Sequence, residues 1–264
     1  MTAPAATALR EANRRFYDRL WSGTRLVRAE RFNTWGPVAD LLADRPDAAR
    51  LEVGPGLRPR LPVAGTHVLD ISPPALARLR DAGARAVLGD ASDLPFVDAA
   101  FDLVAALDVI EHVEDDVAAV GELARVARPG AVLLLSVPLH SARWTGFDAV
   151  VGHRRRYDPP ALCALLDGAG FAIRQSAVFG MQPRAGLLVG LGTWFLVNQP
   201  HRALWWYDRV LMPLGLRRQA PLALRDGLAG TAGIDEILLL CHRLPTPQAT
   251  DAITQGIENA SQPA

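Results

Sequence analysis

The stretch Leu51-Glu52-Val53-Gly54-Pro55-Gly56, followed by His67-Val68-Leu69-Asp70-Ile71-Ser72, decides the fold of this chain. An apolar run ends in a tight glycine turn, and a second apolar run ends in a lone aspartate. Runs this short and this apolar read as strands buried on both faces, as in a parallel sheet. Glycines after the first strand let the backbone turn sharply and lie close to whatever binds there.

The alternation continues outward from this pair. Strand candidates are Arg50–Val53, His67–Ile71, Arg85–Leu88, Asp102–Leu107, Val132–Val137, Phe171–Phe179 and Glu236–Cys241. Helical patterns fall at Pro74–Ala82, Asp115–Ala127 and Pro159–Ala169. The expected fold is α/β: a doubly wound, seven-stranded, mostly parallel sheet with right-handed crossovers. Residues 1–46 read as N-terminal helices, carried by Leu9, Ala12, Phe16, Leu20 and Trp21 and then by Val38, Leu41 and Leu42. Residues 47–244 form the sheet domain, with a helical, apolar insertion at 180–233 before the last strand, and 245–264 read as a disordered tail. One crossover departs from the pattern. Pro59 and Pro62 fall between the first two strands, so no regular helix fits there.

Composition narrows the function. The chain has 264 residues, 50% hydrophobic and 21% charged, with a formal net charge of zero. It can bury a full core, and it lacks the concentrated basic face of a nucleic-acid binder. Two cysteines, Cys163 and Cys241, sit in apolar runs with neither disulfide nor zinc spacing. The first residues do not read as a secretion signal, so a reducing cytoplasm is the expected setting. Asn259-Ala260-Ser261 is then a chance match to a glycosylation acceptor.

Four motifs lie at strand ends. They are Glu52-Val53-Gly54-Pro55-Gly56; Asp70, sixteen residues after Gly54; Gly89-Asp90-Ala91 after the third strand; and Leu107-Asp108-Val109-Ile110-Glu111-His112-Val113 after the fourth. A glycine turn paired with a carboxylate at the next strand end is how such a sheet holds a nucleoside, the acid accepting from both ribose hydroxyls. Together and in this order, the four motifs resemble those of class I S-adenosylmethionine-dependent methyltransferases of the broad small-molecule (type 11) group. The resemblance runs from Leu51 to Phe179, with Asp235–Cys241 as the closing strand.

The resemblance implies S-adenosyl-L-methionine as cofactor, held by Glu52, Gly54, Gly56, Asp70, Ile71, Asp90, Ala91 and Leu107. Asp90 would accept from the adenine amino group, Ile71 and Ala91 would pack on the ring, and the backbone near Leu107 would receive the ammonium. Without a helix after Gly56, Arg58 or Arg60 becomes the candidate for the cofactor carboxylate. A nicotinamide-dependent oxidoreductase is the first rival, but its fingerprint wants a glycine where Pro59 stands and gives no reason for Asp90. A catalytically silent partner protein of the same fold is the second.

Methyl transfer from a sulfonium needs alignment and, for a hydroxyl or protonated amine, a base. The catalytic candidates are His112, beside the fourth strand, and His153 and Tyr157 within Gly152-His153-Arg154-Arg155-Arg156-Tyr157-Asp158. The second group resembles a loop on the acceptor side of this family's pocket. One of its three arginines could clamp an anion, and at least one should lie at the surface. Asp108, Glu111 and His112 also have the spacing that gathers ligands on one helix face, with His140 or His153 to complete a metal set. The simpler reading is helix-start acids, and no metal is assigned.

Residues 185–216 are apolar and aromatic but interrupted by Gly190, Gly192 and Asn198, too short for a membrane span. They suit a lid over a hydrophobic or bulky small-molecule acceptor, a homodimer surface, or a peripheral membrane contact.

Overall fold

The computed structural model describes residues 3–179, 186–228 and 230–245 of the chain. The tail beyond Pro245, including Asn259, lies outside the described residues. In chain order the elements are α1 (Ala3–Gly23), α2 (Trp35–Asp44), β1 (Arg50–Val53), β2 (His67–Asp70), α3 (Pro73–Asp81), β3 (Arg85–Leu88) and β4 (Phe101–Leu107). Then come α4 (Asp116–Val126), β5 (Ala127–Pro138), α5 (Gly146–Val151), α6 (Pro159–Gly168) and β6 (Phe171–Val178). The insertion supplies α7 (Gly186–Asn198), α8 (Pro200–Trp206), a π-helical turn (Tyr207–Leu211), α9 (Met212–Arg218) and β7 (Arg225–Asp226), and β8 (Glu236–Arg243) closes the sheet.

The sheet order is β3-β2-β1-β4-β5-β8-β6-β7. β3, β2, β1, β4 and β5 are mutually parallel, and β8 runs antiparallel to both β5 and β6. The strand count is eight and not seven. The extra strand, β7, is a two-residue edge pair with β6, too short to carry any alternation in sequence.

Period-2 alternation divides the core. Leu133, Leu135, Ile237 and Leu239 face one side, packed with Val120 and Leu123 of α4 and Leu162 and Leu166 of α6. Leu134, Leu238 and Leu240 face the other, packed with Val38 of α2. On that second side α1 lies on α3, with Leu20 and Trp21 against Leu76 and Leu79. Burial on both faces is why the strands read as unbroken apolar runs.

Two crossovers carry no helix. Between β1 and β2 the chain passes through turns and extended segments containing Pro59 and Pro62, as the prolines require. Glu52 stabilises that segment: its carboxylate accepts from the Arg60 N–H (2.7 Å) and the Leu61 N–H (3.1 Å), so an acid in β1 satisfies backbone donors that a helix would have satisfied itself. Elsewhere local chemistry sets the helix ends. Asp115 caps α4 by accepting from the Ala118 N–H at 2.9 Å, and α3 and α6 both begin on a Pro-Pro pair.

β1 lies between β2 and β4, where the strand order reverses direction. That switch point opens a crevice at the carboxyl ends of the strands. No helix among the described residues is long and apolar enough to cross a membrane.

Candidate functional site

A cavity of about 1030 Å³ occupies that crevice. Its floor is built from strand ends: Gly54 after β1, Asp70 and Ile71 at β2, Asp90 and Ala91 after β3, and Leu107 and Asp108 at β4. α1 covers it with Phe16, Tyr17 and Trp21, and the insertion closes the far side with Phe195, Leu204 and Tyr207.

Asp70 is 4% exposed. Its Oδ2 accepts from the Gly56 N–H and its Oδ1 from the Ser72 N–H, both at 2.8 Å. Burial pushes its carboxyl up to about 6, against the pull of those two donors. The carboxylate is therefore fixed in direction before any ligand arrives, and it keeps lone pairs for two further donors. Gly56 does not line the cavity. It has φ +54°, and a Cβ there would stand 2.1 Å from the Trp21 ring, so glycine is needed to admit the indole and aim an N–H at Asp70. Gly54, with φ +64°, does line the cavity and packs against Val109. Asp90 forms a turn in which its Oδ1 accepts from Ser92 N–H (2.9 Å) and Oγ–H (2.6 Å). Burial pushes the Glu52 carboxyl up to about 7, again against two backbone donors.

Arg58 and Arg60 both line the cavity. Arg58 donates to the Tyr207 hydroxyl at 2.8 Å and stacks on Trp21 and Tyr207. Arg60 lies 3.6 Å over the Phe32 ring. Nε and Nη2 of Arg58 and Nε of Arg60 are buried with no hydrogen-bond partner among the described residues. Buried guanidinium N–H groups left open in a cavity call for an anion.

The other end of the cavity gathers His112, His153 and Glu111. The expectation of a ligand-bearing helix face fails here, because residues 108–114 form turns and α4 starts only at Asp116. Asp108 takes φ +55°, a conformation aspartate tolerates better than most residues, and its Oδ1 accepts from the Ser136 Oγ–H at 2.6 Å. His112 uses both ring nitrogens. Nδ1 lies 3.2 Å from the Gly152 carbonyl, so Nδ1–H donates there and Nε2 accepts from the Tyr17 hydroxyl, also at 3.2 Å. Burial, followed by the neighbouring His153, lowers its ring to about 3, so it stays neutral.

His153 is placed by α5. Thr145 and Asp148 form a capping box at the start of that helix, and Gly152 ends it at φ +82°. The chain then turns back, and His153 Nδ1 comes to 2.8 Å from Asp148 Oδ1. Asp148 is fully buried and also accepts from Arg156 Nε at 2.9 Å. Burial pushes its carboxyl up, but the bonds from His153, Arg156 and Thr145 outweigh that and hold it well below the usual range. An ionised Asp148 fixes Nδ1 as the protonated nitrogen and leaves Nε2 for the cavity. Glu111 Oε1 lies 3.9 Å from that Nε2, beyond hydrogen-bond reach, and neither Glu111 oxygen has a partner among the described residues. Burial, with Asp108 nearby, raises its carboxyl well above the usual range. One ligand atom from each of Glu111, His112 and His153 lies within 4.8 Å of the others, whereas His140 is turned away onto the Thr231 carbonyl.

Tyr157 stands apart. It is buried in the core, and its hydroxyl donates to Asp116 Oδ2 at 2.9 Å, outside the cavity lining. None of the three consecutive arginines is a free surface residue. Arg154 donates to the His112 carbonyl, Arg155 pairs with Asp116, and Arg156 with Asp148. Sequence reading missed Tyr17, Trp21 and Asp148 as site residues. Only the i, i+4 spacing of Tyr17 and Trp21 and the five-residue step from Asp148 to His153 hinted at them.

Known proteins resemble this chain in sequence and fold. A family model described as a methyltransferase domain matches residues 51–135. A Mycolicibacterium smegmatis protein described as a probable S-adenosylmethionine-dependent methyltransferase is 37% identical over 101 residues, 38% of either chain. A demethylmenaquinone methyltransferase of a Mycobacterium species (strain KMS) is 34% identical over 125 residues, 40% of this chain and 54% of that one. The matched segments thus span about half or less of these relatives. Among solved structures, a SAM-dependent methyltransferase from Thermotoga maritima shares the fold, with TM-score 0.54, 15% identity, and coverage of 81% of this chain and 91% of that one. Residues 51–135 thus match a methyltransferase domain, with the glycine turn, Asp70 and Asp90 at successive strand ends, and the chain is similar there to S-adenosylmethionine-dependent methyltransferases.

Proposed function

We propose that this protein transfers the methyl group of S-adenosylmethionine to a bulky, largely apolar small molecule bearing an ionisable O–H or N–H. One observation carries the reading: a single cavity joins the polar floor at Asp70 and Asp90 to the His153 pocket and the aromatic wall of the insertion.

The residues present fit the cofactor. Asp70 is fixed to accept from the ribose hydroxyls, and Asp90 stands one strand further for the adenine amino group. Ile71 and Ala91 offer apolar surface for the ring, and the backbone at Leu107 lies at the wall for the ammonium. The open N–H groups of Arg58 and Arg60 suit the carboxylate, the task a crossover helix would otherwise perform. When bound, S-adenosylmethionine supplies a methyl group already activated as a sulfonium.

What remains for the chain is orientation and proton removal. His153 Nε2 receives the acceptor's proton, and Asp148 stabilises the resulting imidazolium through Nδ1. The raised Glu111 carboxyl favours its protonated form and offers a hydrogen bond to the acceptor. His112, its nitrogens engaged by Gly152 and Tyr17, positions α1 over the cavity. Tyr17, Trp21 and the insertion exclude water. The relative named as a demethylmenaquinone methyltransferase supports a hydrophobic acceptor.

Calorimetric titration with S-adenosylhomocysteine and with NADH tests the cofactor assignment. Binding of the first alone is expected; binding of NADH alone would refute it.

A further inference from the structure

The insertion has an outer face as well as an inner one. On α7, Leu191, Trp194 and Val197 are 62%, 59% and 57% exposed, and on α8 Trp205 is 55% exposed. Large apolar side chains grouped this way on a surface mark a contact site. The charge there is one-sided. Residues 186–224 hold Arg202, Arg209, Arg217 and Arg218, all exposed, and a single acid, Asp208, whose side chain is 7% exposed and lies 3.7 Å from Arg209, so three of the arginines carry the excess charge. Positions 202, 205, 206 and 209 share one helical face, so arginine and tryptophan interleave on it.

That combination selects the occupant. Tryptophan favours the headgroup level of a bilayer, and arginine is drawn to anionic lipid. A second copy of the chain, meeting this face across a two-fold axis, would set the same arginines against each other with no exposed acid among residues 186–224 to relieve them. Trp206, Leu211 and Leu214 are exposed here and also line the cavity, so the cavity mouth opens on this face.

We propose that the α7–α9 face docks on the surface of an anionic lipid bilayer and sets the mouth of the cavity against it. The docking stands apart from the methyl-transfer reading, and its test needs no turnover.

The test is co-sedimentation with phosphatidylcholine vesicles made with and without phosphatidylglycerol, using brominated acyl chains to quench tryptophan emission. Binding and quenching are expected with phosphatidylglycerol only, weakening as salt rises. Arg202→Ala and Arg217→Ala should each weaken partitioning about fivefold. Trp194→Ala with Trp205→Ala should reduce the quenching to the part that Trp206 contributes. None of these four residues lines the cavity, so S-adenosylhomocysteine titration should be unchanged and reports that the variants fold. If a variant fails to fold, the comparison of the two vesicle types with the unaltered chain still decides. No sedimentation, or equal binding to neutral vesicles, overturns the proposal. So does a concentration-dependent dimer that Trp205→Arg dissolves.

Discussion

Replacing Asp70 probes the donor site with a magnitude the structure supplies. In the free protein its carboxylate already holds the Gly56 and Ser72 N–H groups at 2.8 Å and is 4% exposed, so little desolvation or reorientation remains to be met on binding. Hydrogen bonds from the ribose hydroxyls to a fixed, charged acceptor should then count nearly in full. Asp70→Ala should weaken S-adenosylhomocysteine binding by about 1–3 kcal/mol, roughly 5- to 150-fold. The same carboxyl sits near 6, and only its ionised form can accept from both hydroxyls. At pH 5 about one molecule in eleven is ionised, so affinity should fall about tenfold between pH 7 and pH 5. Glu52, raised to about 7, also faces the cavity, and Asp70→Asn separates the two. The step near pH 6 must vanish in that variant and persist in Glu52→Gln. Calorimetry across this range reads both quantities. An Asp70→Ala affinity within twofold of the parent, or binding flat from pH 7 to pH 5, would refute the assignment.

His153→Ala should lower turnover about 10²- to 10⁴-fold and leave S-adenosylhomocysteine affinity unchanged; intact turnover would make His153 structural. Arg58→Met should lose discrimination between S-adenosylhomocysteine and an analogue lacking its carboxylate, a preference the parent should show by calorimetry. If both proteins discriminate equally, the carboxylate lies elsewhere. Stability should also follow pH. Between pH 6.5 and 8 Glu52, raised to about 7 in the folded chain, binds more protons there than the unfolded chain does, so stability falls as pH rises. The lowered His112 works weakly the other way, raising stability by about 0.4 kcal/mol as the half-protonated unfolded ring loses its proton. Glu52 alone contributes about 1 kcal/mol over this window, more than the His112 gain, and the ligand-free melting temperature should drop by up to about 2 °C. A flat or rising profile in calorimetric scans would contradict this.

Much of the fold was legible because burial on both sheet faces writes strands as apolar runs. β1 and β3 match their sequence boundaries residue for residue. Pro59 and Pro62 foretold the missing crossover helix by simple sterics. Asp70 and Asp90 could be placed from sequence because a strand end is a local feature, and both stand on the cavity floor. What escaped depends on contacts distant in sequence. The Tyr17–His112 bond joins residues 95 apart, and no local pattern encodes it. Tyr157 sat in a promising motif, yet Asp116 on α4 draws its hydroxyl into the core. The turns at 108–114 defeated the helix-face argument, because spacing alone does not reveal a backbone that reverses at Asp108. The hydrogen-bonded pair Asp148–His153 needed the αL turn at Gly152, which glycine permits but does not announce.

If one cavity joins a methyl-donor site to an apolar acceptor pocket, the protein should methylate a molecule that partitions into organic solvent. Incubation with methyl-labelled S-adenosylmethionine and an organic-solvent extract of cells reads this out. Label should appear in an organic-soluble product and be lost with His153→Ala. Label that never enters the organic phase, while S-adenosylhomocysteine still binds, would contradict that expectation.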